Sequence, residues 1–357
     1  MNTTMTKRIC SLLLAVVLAC GMVATSGCGS NTDWVYEADG IQVTAGMYIN
    51  FMMYTLSEMQ IGEMNANAGN PDYVAPETKA FLKGYTDGVL NAEKVRTEAK
   101  IMAGDYFNVS RLFAQYDLEL NQEDVTATHN YTDTLWNTNG PVFEKNGIGR
   151  ESVRAYQTYL MKKDVVFEHL YGPGGVNAVS DEELRALLAT NYAKVEVMTV
   201  AVDSTDATTG EADKARAEDY LARYQKGEAI EELDYENRLA ITTEEASGTV
   251  TKNDAGVHVS IISIKNAAGD ELLTSINDMK PGDIDMFLDN YVYFIVKKLD
   301  LNSDAEALNT YRAELLGELK LEEFEADMRQ QAQTVEMTLN QPAYNRYKPE
   351  RLTFNAA

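Results

Sequence analysis

Val195-Glu196-Val197-Met198-Thr199-Val200-Ala201-Val202 and Tyr291-Val292-Tyr293-Phe294-Ile295-Val296 frame the middle of a 357-residue chain. Both runs are rich in valine, isoleucine and aromatics, and the first alternates, so both read as β-strands. Between them, Glu211 to Lys226 reads as an amphipathic helix, with Ala217, Tyr220, Leu221 and Tyr224 on one side and Gly227 at its end. Leu239 to Thr243 and Val257 to Ile264 read as further strands, and Met279-Lys280-Pro281-Gly282-Asp283 as a turn before the last strand. A helical crossover followed by sequentially adjacent strands makes residues 193–300 an α+β module.

Helical patterning dominates on either side. Val35 to Thr44 holds two short apolar runs around Asp39-Gly40, a hairpin signal, and Thr44 is placed to cap the helix that follows. Met47, Tyr48, Phe51, Met52, Thr55 and Met59 share one face of that helix, spaced as a core stripe. Residues 65–76 read as a loop, and helices are expected at 77–104, 121–138 and 149–171, the second capped by Asn121. Gly172-Pro173-Gly174-Gly175 is a turn, because no Gly-Lys-Ser/Thr follows it and no strand precedes it. Ser180 and Glu183 form a capping box for a helix running to about Asn191. After Leu301, with Asn302 or Ser303 as cap, Leu308, Tyr311, Leu315, Leu319, Phe324, Met328, Ala332 and Val335 recur at helical spacing up to Leu339. So long a stripe needs the N-terminal helices as cover. The fold class is therefore α+β: a helical domain from residues 35–192 and a C-terminal helix at 301–341, the 193–300 module inserted between them, and an exposed tail at 342–357.

The chain begins with Lys7-Arg8, an apolar run from Ile9 to Cys20 that continues loosely to Ala24, and then Thr25-Ser26-Gly27-Cys28. A basic start, a short apolar middle and small residues before a cysteine make residues 1–27 a secretory signal, too short for a comfortable membrane span. The end of this segment resembles the lipobox of bacterial lipoproteins, with Thr25 where the family prefers leucine. The resemblance implies cleavage before Cys28, lipidation of that residue, and a tether over 28–34. Cys20 is the rival site, but it would cut the apolar run short. Cleavage at Cys28 leaves one cysteine, so no internal disulfide is expected. The formal charge of −24 becomes −26 once Lys7 and Arg8 leave with the signal, which argues against a nucleic-acid partner. His129, His169 and His258 lie in three separate segments without metal-ligand spacing, and neither a dinucleotide fingerprint nor Gly-x-Ser-x-Gly occurs. No metal and no cofactor is implied.

A lipobox, a hairpin leading into a helix, a helical domain split by an α+β insert and a long return helix together resemble the extracytoplasmic foldases of the PrsA/SurA type. Within them, the insert resembles a parvulin, a peptidyl-prolyl isomerase domain. The turn Met279-Lys280-Pro281-Gly282-Asp283-Ile284 is similar to the family's Leu-Lys-x-Gly-Glu-Ile. Thr199-Val200-Ala201-Val202 and Tyr293-Phe294-Ile295-Val296-Lys297 stand where parvulins have His-Ile-Leu-Val and Tyr-His-Ile-Ile-Lys. Thr199 and Phe294 thus replace the paired histidines. No Gly-Gly-Asp-Leu-Gly segment lies between Glu244 and Asp270, where Ser247-Gly248, Ala255-Gly256 and Gly269-Asp270 are the glycine pairs.

Prolyl isomerisation faces an amide-rotation barrier of about 18–20 kcal/mol. A catalyst must favour the twisted amide over the planar one. Without the histidines that centre the family's polar network, catalysis is expected to be weak or absent. The resemblance implies a chaperone held on the extracytoplasmic face of the membrane by its lipid, binding unfolded or newly exported polypeptides, with Met198, Met286, Phe287 and Tyr293 as candidates for a client pocket. Two alternatives stand beside it: an active parvulin-type isomerase with a non-standard pocket, and a solute-binding lipoprotein, which would need a two-lobed α/β pattern. Whether the chain forms a homodimer is open.

Overall fold

A computed structural model describes residues 33–202, 207–242, 250–251, 258–265, 267 and 269–354. The signal segment, Cys28, Ser247-Gly248 and Ala255-Gly256 lie outside them. In chain order the elements are β1 (Trp34–Ala38), β2 (Ile41–Thr44), α1 (Ala45–Ala66), α2 (Thr78–Phe81), β3 (Tyr85–Thr86), β4 (Val89–Leu90), α3 (Asn91–Gln115), α4 (Gln122–Lys145) and α5 (Arg150–Tyr171). They continue with α6 (Asp181–Asn191), β5 (Tyr192–Ala201), α7 (Ala207–Gln225), α8 (Ile230–Ile241), β6 (His258–Ser263), α9 (Glu271–Asp278), β7 (Ile284–Asp289) and β8 (Val292–Leu299). The last are α10 (Ala305–Thr334), β9 (Thr338–Leu339) and α11 (Gln341–Arg346). The chain is α+β and divides into two compact units, residues 1–179 with 316–357, and residues 180–315. The second unit is wider than the 193–300 module read from the sequence, because it also includes α6 and the start of α10.

The helical unit is built on α1, α3, α4, α5 and the later part of α10. β1 and β2 form the expected hairpin, in which Asp39 (φ 52°) and Gly40 (φ 75°) both take the left-handed conformation that a tight two-residue turn requires. Thr44 Oγ1 accepts from the Met47 N–H at 3.2 Å and starts α1. Met47, Tyr48, Phe51 and Met52 are almost fully buried, as are Leu56 one turn beyond Met52 and Ile49 and Met53 outside that stripe. A helix covered nearly all round belongs to the middle of a core. Asn121 and Asp124 cap α4 reciprocally.

Three expectations for this unit are corrected. The helix expected at 77–104 is interrupted by the β3–β4 hairpin, whose turn places Asp87 and Gly88 at positive φ. The C-terminal helix ends at Thr334, and Leu339 instead lies in β9, opposite Tyr36 of β1. The 342–357 tail is anchored: Ala343, Pro349 and Leu352 are buried, and Tyr344 packs against Tyr36 and Tyr48 with the Arg96 guanidinium 4.3 Å from its ring centre. Apolar and aromatic side chains spaced too irregularly for a helix still find cover in this way.

The second unit is a four-stranded antiparallel sheet in the order β6-β5-β8-β7. Met198, Val200, Tyr293 and Ile295 fill the face under α7 and α8, while Ala193, Val195 and Val296 fill the face under α9. Where a strand is expected at Leu239–Thr243, Leu239 to Ile241 are instead the end of α8 and Thr242 caps it, while Thr243 lies outside the described residues. The apolar residues Ile230 and Leu233 are spaced for one helical face and buried together. α9 and β7 were not anticipated. β7 joins β8 through Asn290 and Tyr291, both at positive φ without glycine, so the usual turn signal is missing. The cap of α10 is Asp304, whose Oδ1 accepts from the Ala307 N–H at 2.9 Å, rather than Asn302 or Ser303. Lys194 pairs with the same carboxylate at 2.7 Å.

Gly104 on α3 sits where a Cβ would run into the carbonyl of Ala332 on α10. Gly104→Val is therefore expected to cost about 3 kcal/mol, at the upper end for overpacking. At Gly62 on the exposed side of α1, an added Cβ meets nothing within 4 Å. Gly62→Ala should stabilise by about 0.4–1 kcal/mol, and urea unfolding of the two variants checks both signs.

Candidate functional site

The strand unit and the helical unit each carry a candidate surface. In the sheet, strand alternation and register place Thr199 directly opposite Phe294, and Phe294 directly opposite Phe287. These three side chains make one row across β5, β8 and β7 on the α9 face. Directly opposed residues in such a sheet hold their Cβ atoms about 4.5–5.5 Å apart, close enough for one small group to meet both. Thr199 is exposed; Phe287 and Phe294 are partly buried against the cluster that includes Val195, Ile276 and Val296. The Thr199 carbonyl accepts from Asn237 Nδ2 at 3.0 Å, which ties the strand to α8.

The four residues considered for a client pocket do not line one. Met198 and Tyr293 are buried in the core under α7 and α8, and Met286 packs against that same core. Phe287 is the next residue along β7, so the pleat turns it to the opposite face. Residue type suggested a pocket; the period of two divided it.

The helical unit holds a feature that no local motif announces. Side chains of α1, α3, α4, α5 and α10 surround a cleft of about 680 Å³, open to solvent and lined mainly by apolar atoms. Tyr54, Met59, Ile101, Tyr131, Leu160 and Met161, all partly exposed, provide most of that apolar lining. Its floor is ionic. Lys163 Nζ lies 2.9 Å from Asp105 and 2.6 Å from Glu325, and the Tyr159 hydroxyl donates to the same Asp105 oxygen that Lys163 meets. Asp105 is 6 % exposed, and its other carboxylate oxygen has no hydrogen-bond partner. A half-satisfied buried carboxylate is costly unless a cation neutralises it, which assigns Lys163 its role.

Burial works against the charge on Lys163, but the Asp105 and Glu325 carboxylates outweigh it and raise the pKa above the ordinary lysine value. Burial first, and then the Asp105 carboxylate, hold the Tyr159 hydroxyl well above the ordinary tyrosine range. Tyr54 is raised by burial and then by Glu58 and Glu325. The acidic residues were legible as helix faces, but their convergence needs five helices in place. A lysine and an aspartate 58 positions apart in sequence carry no local signal.

The histidines stay apart. His129 is exposed on α4, His169 packs its ring against Tyr116 at 4.6 Å, and His258 lies in β6. Among the described residues, no group of His, Cys, Asp or Glu could hold a metal ion, and no helix is long and apolar enough to cross a membrane.

The ionic floor sets a pH dependence. Lys163 and Tyr159 both have folded pKa values above their unfolded ones, so the folded chain keeps its protons longer and stability falls as pH rises past about 10. Lys163→Met leaves two carboxylates without their cation and should cost about 3–5 kcal/mol at neutral pH while flattening the alkaline decline. Chemical unfolding between neutral and strongly alkaline pH measures both effects.

No family model matches the sequence, and no curated protein matches it. The crystal structures similar to the chain include three of PrsA, two of them described as foldase proteins. That of Bacillus subtilis shares 15% identity with a TM-score of 0.27, over 70% of this chain and 89% of the other. That of Streptococcus pneumoniae shares 14% identity with a TM-score of 0.35, over 89% and 100%. That of Lactococcus lactis shares 12% identity with a TM-score of 0.35, over 88% and 99%. Overlaps this loose do not assign a function to the chain.

Proposed function

We propose that this chain is a membrane-tethered, extracytoplasmic chaperone of the PrsA/SurA type that holds unfolded or newly exported polypeptides. The observation that carries the reading is the cleft of the helical unit, a large, apolar, solvent-open depression within a strongly acidic chain. Met and Tyr side chains suit such a surface: they adapt to varied partners and bring large contact areas at low entropic cost. In this reading the strand unit is a parvulin-like module, and Cys28 carries the lipid that fixes the protein to the membrane. All strand pairings among the described residues are antiparallel. They give no support to the two-lobed α/β pattern of a solute-binding lipoprotein.

The Thr199–Phe294–Phe287 row favours a module that binds without catalysing efficiently. Two aromatic rings beside an exposed threonine offer contact to a proline ring. A single hydroxyl is a poor substitute for a pair of imidazoles in stabilising a twisted amide. The second reading, an active isomerase, rests on this same row.

The purified protein in detergent should suppress aggregation of a chemically unfolded test protein at stoichiometric excess; unchanged light scattering would refute the chaperone reading. In a proline-peptide assay the same preparation should leave the spontaneous rate, tens to hundreds of seconds, nearly unchanged. A clear acceleration that Thr199→Ala abolishes would instead establish the isomerase. For the anchor, Cys28→Ser is expected to move the protein from the membrane fraction to the soluble one, with loss of incorporated labelled palmitate. A membrane-bound, labelled variant would place the lipid elsewhere.

A further inference from the structure

We propose that the cleft of the helical unit selects polypeptide segments in which apolar side chains are interspersed with lysine or arginine. This rests on the client-binding reading and specifies which clients the cleft prefers. Five carboxylates line it, Glu58, Glu98, Asp105, Asp164 and Glu325, against three cations. Each cation is already engaged: Lys163 between Asp105 and Glu325, Arg329 with Glu98 at 2.8 Å, and Lys94 with Asp87 at 2.8 Å. An incoming acidic side chain would have to break one of those pairs, and breaking a pair around Lys163 exposes a buried charge.

An incoming cation meets the opposite situation. Among the described residues no cation lies within salt-bridge distance of Glu58, which is exposed on α1 at the edge of the cleft. Glu58 and Glu325 both act on the Tyr54 hydroxyl, so their fields overlap at the apolar wall. A lysine or arginine stem can lie along Met59 and Leu160 while its head reaches Glu58, and the ring faces of Tyr54 and Tyr131 suit cations. The net charge of −24 extends the same preference beyond the cleft, drawing basic segments in and turning acidic ones away.

The test uses the full chain in detergent and two short fluorescein-labelled peptides with the same leucines and phenylalanines, one carrying lysines where the other carries glutamines. Fluorescence anisotropy should show the lysine peptide binding about tenfold more tightly at low salt, an advantage that shrinks as salt shortens the screening length. Glu58→Lys, an exposed substitution verified as folded by circular dichroism, should remove most of that advantage. Equal affinity for the two peptides overturns the selectivity and leaves client binding intact. A lysine preference that survives Glu58→Lys overturns its placement in this cleft. Binding of neither peptide by a preparation that still suppresses aggregation overturns the proposal without touching the chaperone reading.

Discussion

The helical unit depends on the return of the C-terminal helix to the first half of the chain. Leu316, Phe324, Met328 and Ala332 are buried, with Phe324 set edge-on against Phe167 and Tyr171. The approach of α10 to α3 is so close that only a glycine at position 104 permits it. Asn108 and Glu98 reach across from α3 to Gln331 and Arg329. With α10 in place, Glu325 arrives beside Lys163 and shares that cation with the buried Asp105. A chain lacking that helix would expose the apolar stripe on α5 and leave Lys163 with one carboxylate. The cleft is therefore a product of closure, and its chemistry exists only in the assembled unit.

The two units offer surfaces of different kinds. In the strand unit, register sets Thr199 opposite Phe294, a pair that offers contact with little polar leverage. Rotating an amide needs a difference in affinity between planar and twisted forms, and a mostly apolar row binds both about equally. The cleft of the helical unit is lined mainly by apolar atoms. Every cation in its lining is paired, and the exposed Glu58 carboxylate stands at its edge.

Local chemistry was the legible part of the sequence. The Asp39-Gly40 turn, the Thr44 cap and the boxes at Asn121 and Ser180 all stand where short-range rules put them, because each closes its hydrogen bonds within a few residues. The two central strands of the sheet, β5 and β8, were legible from the alternation of the first and the continuous apolar run of the second. What escaped was set by distant partners. β9 is two residues long and is a strand only because β1 lies beside it. β7 was hidden by a turn in which Tyr291 takes a conformation usually given to glycine. Leu239 to Ile241 looked like a strand in isolation and is the last turn of α8, set by the buried Ile230 and Leu233 upstream. The tail seemed polar enough to be free, yet Tyr344 completes a cluster begun by Tyr36 and Tyr48. The Lys163 network was invisible for a related reason: one lysine among many acquires meaning only from carboxylates delivered by α3 and α10.

Pairing of β1 with β9 also fixes an order of events. Tyr36 waits for Leu339, roughly three hundred residues later in the chain, whereas Lys194 and Leu299 of the central sheet are separated by about a third of that distance. A chain emerging from its N-terminus can pack α1 on α3 and α5 and complete the inserted sheet before α10 and β9 are made. For that interval Phe167 and Tyr171 lack the ring of Phe324 and β1 keeps an unmatched edge, as in an incompletely folded chain. The helical unit is thus opened by the first described strand and closed by one of the last elements to be made.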